Sequence, residues 1–191
     1  LSGIFVVTVG HNNRRVIEAI KKQLDTMAFA PPLHATNPRA IELVEKLTTV
    51  TPEDLNIIKL LSGGSEATKA AMKLARQYHK QTGNPNKYKV IARYQGYHGA
   101  TMGALSATGT GRRKTMFEPV LPGFMHVHPP LCYHCPYEKS YPDCDVFCAR
   151  TIEHLIESEG AETIAALILE PIGNTGGVIT PPPEYLPKVR D

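Results

Sequence analysis

Ile57-Ile58-Lys59-Leu60-Leu61-Ser62-Gly63-Gly64-Ser65-Glu66-Ala67 is the stretch on which the reading of this chain turns. A short, mostly apolar run of strand length stops at two glycines, and small residues at helical spacing follow at once. Ala67, Ala70, Ala71, Leu74, Ala75 and Tyr78 mark out the expected buried stripe of that helix, and Gly83 ends it. Strand, glycine turn and helix in immediate succession form the building unit of an α/β fold. A helix N-terminus leaves amide N–H groups unpaired and carries partial positive charge. Gly63 and Gly64 let the backbone approach an anion, and Ser65 adds a hydroxyl. The turn therefore reads as a phosphate cradle, or on the same residues as a tight strand-to-helix turn with a serine cap. It is not a Walker A loop, because Gly-Lys-Ser/Thr never occurs, and the dinucleotide pattern Gly-x-Gly-x-x-Gly is missing here.

Working outward, the same alternation continues. Tyr88 to Arg93 reads as a strand, Tyr94 to Gly99 as a loop, and the small residues from Ala100 to Thr108 as a short helix. Val146 to Glu159 is helical and stopped by Gly160, and Ala165-Ala166-Leu167-Ile168-Leu169 is an apolar strand ending in Glu170-Pro171. Upstream, Val16, Ile20, Leu24 and Met27 give an amphipathic helix over residues 13–27. Asn37-Pro38 is a helix start, a side-chain cap followed by a residue with no amide proton, with Ile41, Val44 and Leu47 turned inward. Thr51-Pro52-Glu53 reads as a second, shorter start, and the stretch after Pro183 as a helix. Apolar strands between amphipathic helices predict an α/β fold, a mostly parallel sheet flanked by helices.

In an open parallel sheet, ligands bind beyond the carboxyl ends of the strands. Two further groups fall on that edge. Gln95-Gly96-Tyr97-His98-Gly99 places an aromatic ring where it can lie against a flat ligand, or simply pack. Glu170 closes a buried strand, a costly place for a carboxylate unless it is paired or used. After it, Gly173-Asn174-Thr175-Gly176-Gly177 is a turn able to present backbone amides.

Composition excludes several classes. Of 191 residues, 42% are apolar and 20% charged, which suits a globular domain rather than a disordered tail or a coiled coil. Lys and Arg total 21 against 18 Asp and Glu, with no basic cluster strong enough for a nucleic acid or a membrane surface. No apolar run approaches the roughly 20 residues that span a bilayer. The chain opens at Leu1 on an apolar run without a basic leader or a small-residue cleavage site, so it is not read as a signal peptide. Both ends are abrupt, and the chain is read as a fragment of a longer protein.

The order of the three edge signals is more specific than any one of them. Ser62-Gly63-Gly64-Ser65-Glu66-Ala67-Thr68, then Gly96-Tyr97-His98-Gly99, then Leu169-Glu170-Pro171-Ile172-Gly173-Asn174-Thr175-Gly176-Gly177 resembles the class III aminotransferases, the omega-amino-acid branch of the fold type I pyridoxal-phosphate enzymes. Gly10-His11-Asn12 before Val16-Ile17-Glu18-Ala19-Ile20 fits the same family, and the resemblance runs the length of the chain. It implies that residues 1–191 form the N-terminal half of the large cofactor-binding domain. It implies pyridoxal phosphate as cofactor: Gly63, Gly64 and Ser65 at its phosphate, Tyr97 stacked on its ring, and His98 beside it as either a cofactor neighbour or a structural histidine. Glu170 matches an active-site carboxylate. Thr175 stands where some relatives carry a second glutamate.

The family's pyridine-nitrogen aspartate, its Schiff-base lysine and its small C-terminal domain are not placed in this chain. Lys59, Lys69, Lys73 and Asp191 lack the context for those roles. The implied activity of the whole enzyme is transfer of an amino group from an omega-amino acid or amine to a 2-oxo acid such as pyruvate, by a cytoplasmic homodimer. Two alternatives stay open: a dialkylglycine decarboxylase or phospholyase of the same family, and a non-enzymatic fragment that binds phosphate ligands.

One compositional anomaly remains at residues 119–148. Cys132, Cys135, Cys144 and Cys148 follow a C-x2-C-x8-C-x3-C spacing with His126, His128 and His134 nearby. Zinc or iron–sulfur ligation and a loop of reduced thiols are both open on this spacing; the expectation is reduced, metal-free cysteines.

Overall fold

The computed structural model describes residues 3–31, 33–52 and 54–191. The chain divides into two units, Leu1–Leu60 and Leu61–Asp191.

The first unit holds α1 (Arg14–Thr26) and α2 (Pro38–Thr48). Their starts follow the sequence. The Asn13 side chain accepts from the Val16 N–H at 3.3 Å, and the Asn37 side chain from the Ala40 N–H at 2.9 Å, with Pro38 in the first turn. Neither helix buries a residue: Ile20, Leu24 and Ile41 stay exposed, and Val44 and Leu47 are only half-buried. The amphipathic pattern is real, but within this unit the apolar stripes have nothing to cover them. The expected second start at Thr51-Pro52-Glu53 lies partly outside the described residues, at Glu53. Beside it, the Leu55 N–H closes a turn on the Pro52 carbonyl at 2.8 Å. Ile57 to Leu61 is not a strand but irregular chain, with Ile57 96% exposed. A strand is a paired object, and no described segment offers this run a partner.

The second unit is a three-layer α/β arrangement. It runs α3 (Gly64–Gln81), β1 (Lys89–Arg93), α4 (Met102–Ala107), β2 (Phe124–Val127), α5 (Phe147–Glu159), β3 (Ile164–Leu167) and α6 (Tyr185–Arg190). The sheet order is β2-β1-β3, and both pairings are parallel, with Ile91 opposite Met125 on one side and Leu167 on the other. β1 is central and buried on both faces, as a parallel strand between helix layers must be. Its alternation divides the core. Val90 and Ala92 pack with Met72 of α3 and Ala107 of α4, while Ile91 packs with Val127 and Ile152 of α5. A third cluster joins Val146, Ala149 and Tyr185.

α3 differs from expectation in the face it buries. Met72 is its buried residue, with Ser65, Thr68, Ala75 and His79 half-buried on the same side, and His79 Nε2 lies 2.9 Å from the Ala165 carbonyl. Ala67, Ala71, Leu74 and Tyr78 are exposed. An alanine-rich helix offers two stripes at the same spacing, and contact with the sheet, not the pattern, chose between them.

Candidate functional site

The carboxyl ends of β1 and β3 and the start of α3 carry all six residues singled out from the sequence. Gly63 is the cap of α3, in extended conformation, and its carbonyl accepts from the Ala67 N–H at 2.9 Å. No side chain closes the first turn. The first-turn amides thus remain donors, as a phosphate cradle requires. A Cβ built on Gly64 meets nothing within 4 Å, so the approach is open. Two details were not foreseen. The Glu66 carboxylate reaches back over the turn, with Oε2 2.9 Å from where a Gly63 Cβ would sit. The Ser65 hydroxyl is engaged, lying 2.7 Å from the Thr101 hydroxyl and accepting the Thr101 N–H at 3.0 Å. It ties α3 to the segment after Gly99.

Tyr97 and Glu170 are joined directly. Glu170 Oε1 accepts the Tyr97 main-chain N–H at 2.8 Å, and Oε2 accepts the Asn174 N–H at 3.1 Å. Both carboxylate oxygens accept main-chain N–H groups. The Tyr97 ring is 37% exposed, and one of its faces is covered by the Arg113 guanidinium, 4.7 Å from the centroid. His98 is 8% exposed; its N–H donates to the Thr108 hydroxyl at 3.0 Å, and its Nε2 has no partner among the described residues. Burial lowers the His98 imidazole below its ordinary pKa, against the opposing pull of Glu170, so the ring is neutral near pH 7.

The sequence reading missed the residues that brace this edge. Arg93 ends β1 at 3% exposure, donates to the Glu170 carbonyl, and lies over the Tyr185 ring at 5.8 Å. The Gly109 N–H donates to the Gly96 carbonyl at 2.9 Å, and the Gln95 N–H to the Gly109 carbonyl at 3.2 Å. The Thr175 hydroxyl donates to the Gln95 carbonyl at 3.3 Å. Gln95 sits at φ 62, a left-handed conformation for a residue with a Cβ, held by these contacts. The turn at residues 173–177 folds on itself: Gly173 and Ile179 form an antiparallel bridge, and the Gly177 and Val178 N–H groups both reach Asn174 O at 3.2 Å. Those two amides are used internally rather than presented. Only the Thr108-Gly109-Thr110-Gly111 alternation hinted at any of this in the sequence.

The cysteines share one place as well. Cys132, Cys135, Cys144 and Cys148 are free thiols that line a single small apolar pocket with Pro129, Pro130 and Phe147. Burial pushes the Cys148 thiol up to about 11 and raises Cys132 as well. Among the described residues, no three His, Cys, Asp or Glu side chains are placed to hold a metal ion.

The open turn makes a direct prediction. Gly64→Val should leave unfolding of the complete protein close to the parent, because a Cβ at this position meets nothing within 4 Å. It should weaken inorganic phosphate and pyridoxal phosphate binding by about tenfold, because it covers the amides. Equilibrium dialysis checks the affinity, and an unchanged value would remove the turn from the site.

Comparison with known proteins gives the family. The aminotransferase class-III family model matches residues 1–191. A probable aminotransferase of Mycobacterium tuberculosis is 43% identical over the whole chain, and an omega-aminotransferase of Caulobacter vibrioides is 33% identical over 99% of it. The chain spans 41% and 43% of the length of these two relatives. Among solved structures, an (S)-enantioselective omega-transaminase from Thermomicrobium roseum superimposes with a TM-score of 0.90 at 37% identity, over 95% of this chain and 41% of that one. An amine transaminase from an uncultivated Pseudomonas species, solved with pyridoxal phosphate bound, gives 0.89 at 36% identity, over 95% and 42%. The chain belongs to the class III aminotransferases, a family of enzymes.

Proposed function

We propose that this chain is the N-terminal half of the cofactor domain of a pyridoxal-phosphate-dependent transaminase. The complete protein would move an amino group from an omega-amino acid or amine to a 2-oxo acid such as pyruvate. The observation that carries this reading is the junction of the Tyr97 and Glu170 loops beside an uncapped helix N-terminus with open space at Gly64. Those residues fit the cofactor's two recognisable parts, an anion and a flat ring.

Bound pyridoxal phosphate would supply an electron sink for the carbon bearing the amine. The chain's own residues bind and orient. The amides of the α3 start and the helix dipole hold the phosphate. Tyr97 offers one ring face, with Arg113 backing the other. Glu170 acts as a positioning residue through the Tyr97 N–H. His98, neutral and buried, supports the same loop through Thr108. The imine-forming lysine and the pyridine-nitrogen partner would come from the rest of a polypeptide the length of its relatives. The exposed Leu74 and Tyr78 on α3 suit an enzyme that assembles further, and a cytoplasmic homodimer is the proposed form.

The test is an assay of the complete protein with pyridoxal phosphate, an omega-amino acid and pyruvate. Alanine should form, in step with loss of the donor amine. No alanine from these donors, with carbon dioxide and alanine formed instead from a dialkylglycine and pyruvate, would favour the decarboxylase alternative, and inorganic phosphate released from an amino-alcohol phosphate monoester would favour the phospholyase. Tyr97→Ala should weaken cofactor retention by about fivefold, the worth of roughly 1 kcal/mol of stacking, with little change in thermal unfolding of the apoprotein. Equal retention by variant and parent would make Tyr97 a packing residue only.

A further inference from the structure

The four cysteines lie outside the residues that form the cofactor edge, yet the fold gathers them around one pocket. Cys132 opens a 3-10 turn, Cys132–His134, and Cys135 follows directly on it. Such a turn rises about 2 Å per residue and eclipses side chains three apart, which sets these two Cα atoms about 6 Å apart on one face. A disulfide spans that separation without moving the backbone, its usual Cα separation being about 4.4–6.8 Å. The other two cysteines are fixed at the start of α5. The Phe147 N–H donates to the Cys144 carbonyl at 3.1 Å, and Cys148 stands in the first turn of the helix. The thiols are not equivalent: Cys132 is exposed, whereas Cys135, Cys144 and Cys148 are half-buried. The cavity they line measures about 20 Å³, room for one small group, and its walls are mostly apolar. That space lets a side chain change rotamer and bring one sulfur to another. Burial is the first cause of the raised Cys148 thiol, and the charges of Cys132, Cys144 and Cys135 add to it. Cys132 is raised by burial first, then by Cys144 and Cys135. Cys132 and Cys148 thus lie within electrostatic reach of the other thiols, and both rest protonated and reduced at neutral pH.

We propose that this pocket is a thiol modification site, at which Cys132 exchanges with a low-molecular-weight disulfide and a neighbouring thiol of the same pocket completes an internal disulfide. The exposed sulfur is the point of entry, and the half-buried ones are the resolving groups. In the first step the Cys132 thiolate attacks one sulfur of the small disulfide. The S–S bond of the reagent breaks, and one small thiolate leaves and takes up the proton that Cys132 lost. In the second step the thiolate of Cys135, Cys144 or Cys148 attacks the Cys132 sulfur. The second small thiol leaves with the proton of the attacking cysteine, and the S–S bond of the protein forms. Two protein thiols are thereby oxidised by two electrons, one small disulfide is reduced to two thiols, and no other reactant is needed. Sequence distance sets no obstacle, because Cys135 shares the turn of Cys132 and the α5 thiols share its pocket. The proposal is independent of the transaminase reading.

The experiment uses the complete protein, fully reduced, freed of reductant and held without oxygen. Oxidised glutathione is the probe. The reaction is quenched with acid, the remaining thiols are alkylated, and intact mass and peptide mapping are read against time. In the parent, two of these four thiols should be lost to alkylation, the intact mass should fall by two hydrogens, and the linked peptide should contain Cys132 joined to Cys135, Cys144 or Cys148. Added dithiothreitol should restore all four. Cys132→Ser should lose its pocket thiols at least about tenfold more slowly, because the remaining sulfurs are half-buried. Thermal unfolding of the reduced variant, with Cys132→Ala beside it, checks that the fold is kept, and the peptide map of the parent decides the matter without either variant. Four thiols still alkylatable in the parent would overturn the proposal. So would a bridge that omits Cys132, a bridge between two chains, or a glutathione adduct on Cys132 that no neighbour resolves. One zinc per chain that protects these thiols from exchange would also overturn it.

Discussion

Gly109→Ala is expected to unfold the loop that follows the central strand, lowering stability by about 3–5 kcal/mol. A Cβ at position 109 would stand 2.0 Å from the Arg93 carbonyl oxygen and 2.6 Å from the Tyr94 Cα. Both are main-chain atoms of the loop leaving the central strand, and neither moves without moving the loop. The substitution also strains the bonds from the Gly109 N–H to Gly96 and from the Gln95 N–H to Gly109, each worth about 1 kcal/mol. Urea unfolding of the complete protein should show a markedly lower midpoint. The control is close at hand: a Cβ at Gly111 meets nothing within 4 Å, so Gly111→Ala should unfold like the parent. Equal midpoints for the two variants would show that the loop has slack the structure does not display.

Glu170→Ala carries the second large effect, on ligand binding. The carboxylate is the common acceptor of main-chain donors from two loops, at Tyr97 and Asn174. Hydrogen bonds to an ionised acceptor contribute about 1.5–3 kcal/mol each when fully formed. With Glu170 only half-buried, water replaces part of that, and about 2 kcal/mol is a fair total. The expected result is a loss of roughly 30-fold in pyridoxal phosphate affinity, because the ring of Tyr97 is no longer fixed relative to the α3 start. Glu170→Gln retains one acceptor oxygen and should fall between. Arg93 still holds the Glu170 carbonyl in both variants, so the strand end itself stays in place. If Glu170→Ala binds cofactor as the parent does, the carboxylate is not the brace between the loops.

Both predictions depend on contacts between loops far apart in sequence, and this separates what was legible from what was not. The helix starts at Asn13 and Asn37 were readable because a cap is made within one turn: the side chain reaches an amide three residues on. β1, β3 and α5 were readable within one or two residues, because a run apolar on both faces has few places to go other than a sheet interior. β2 was passed over. Phe124-Met125-His126-Val127 is short and contains a histidine, whose Nε2 lies 3.1 Å from the Ala107 carbonyl, 19 residues earlier in the chain.

The sequence by itself determined β1, α5 and β3, the helix after the Gly63-Gly64 turn and the two asparagine caps. Each of these follows from backbone chemistry or side-chain spacing within a few residues. Tertiary structure alone decided three things. It left Ile57 to Leu61 irregular, since a strand requires a hydrogen-bonding neighbour and none of the described segments supplies one. It turned the Met72 side of α3 to the sheet, since two apolar stripes at equal spacing are distinguished only by what they touch. And it turned both oxygens of Glu170 onto main-chain amides, because a carboxylate at the end of a buried strand needs donors, and the nearest came from loops 73 and 4 residues away along the chain.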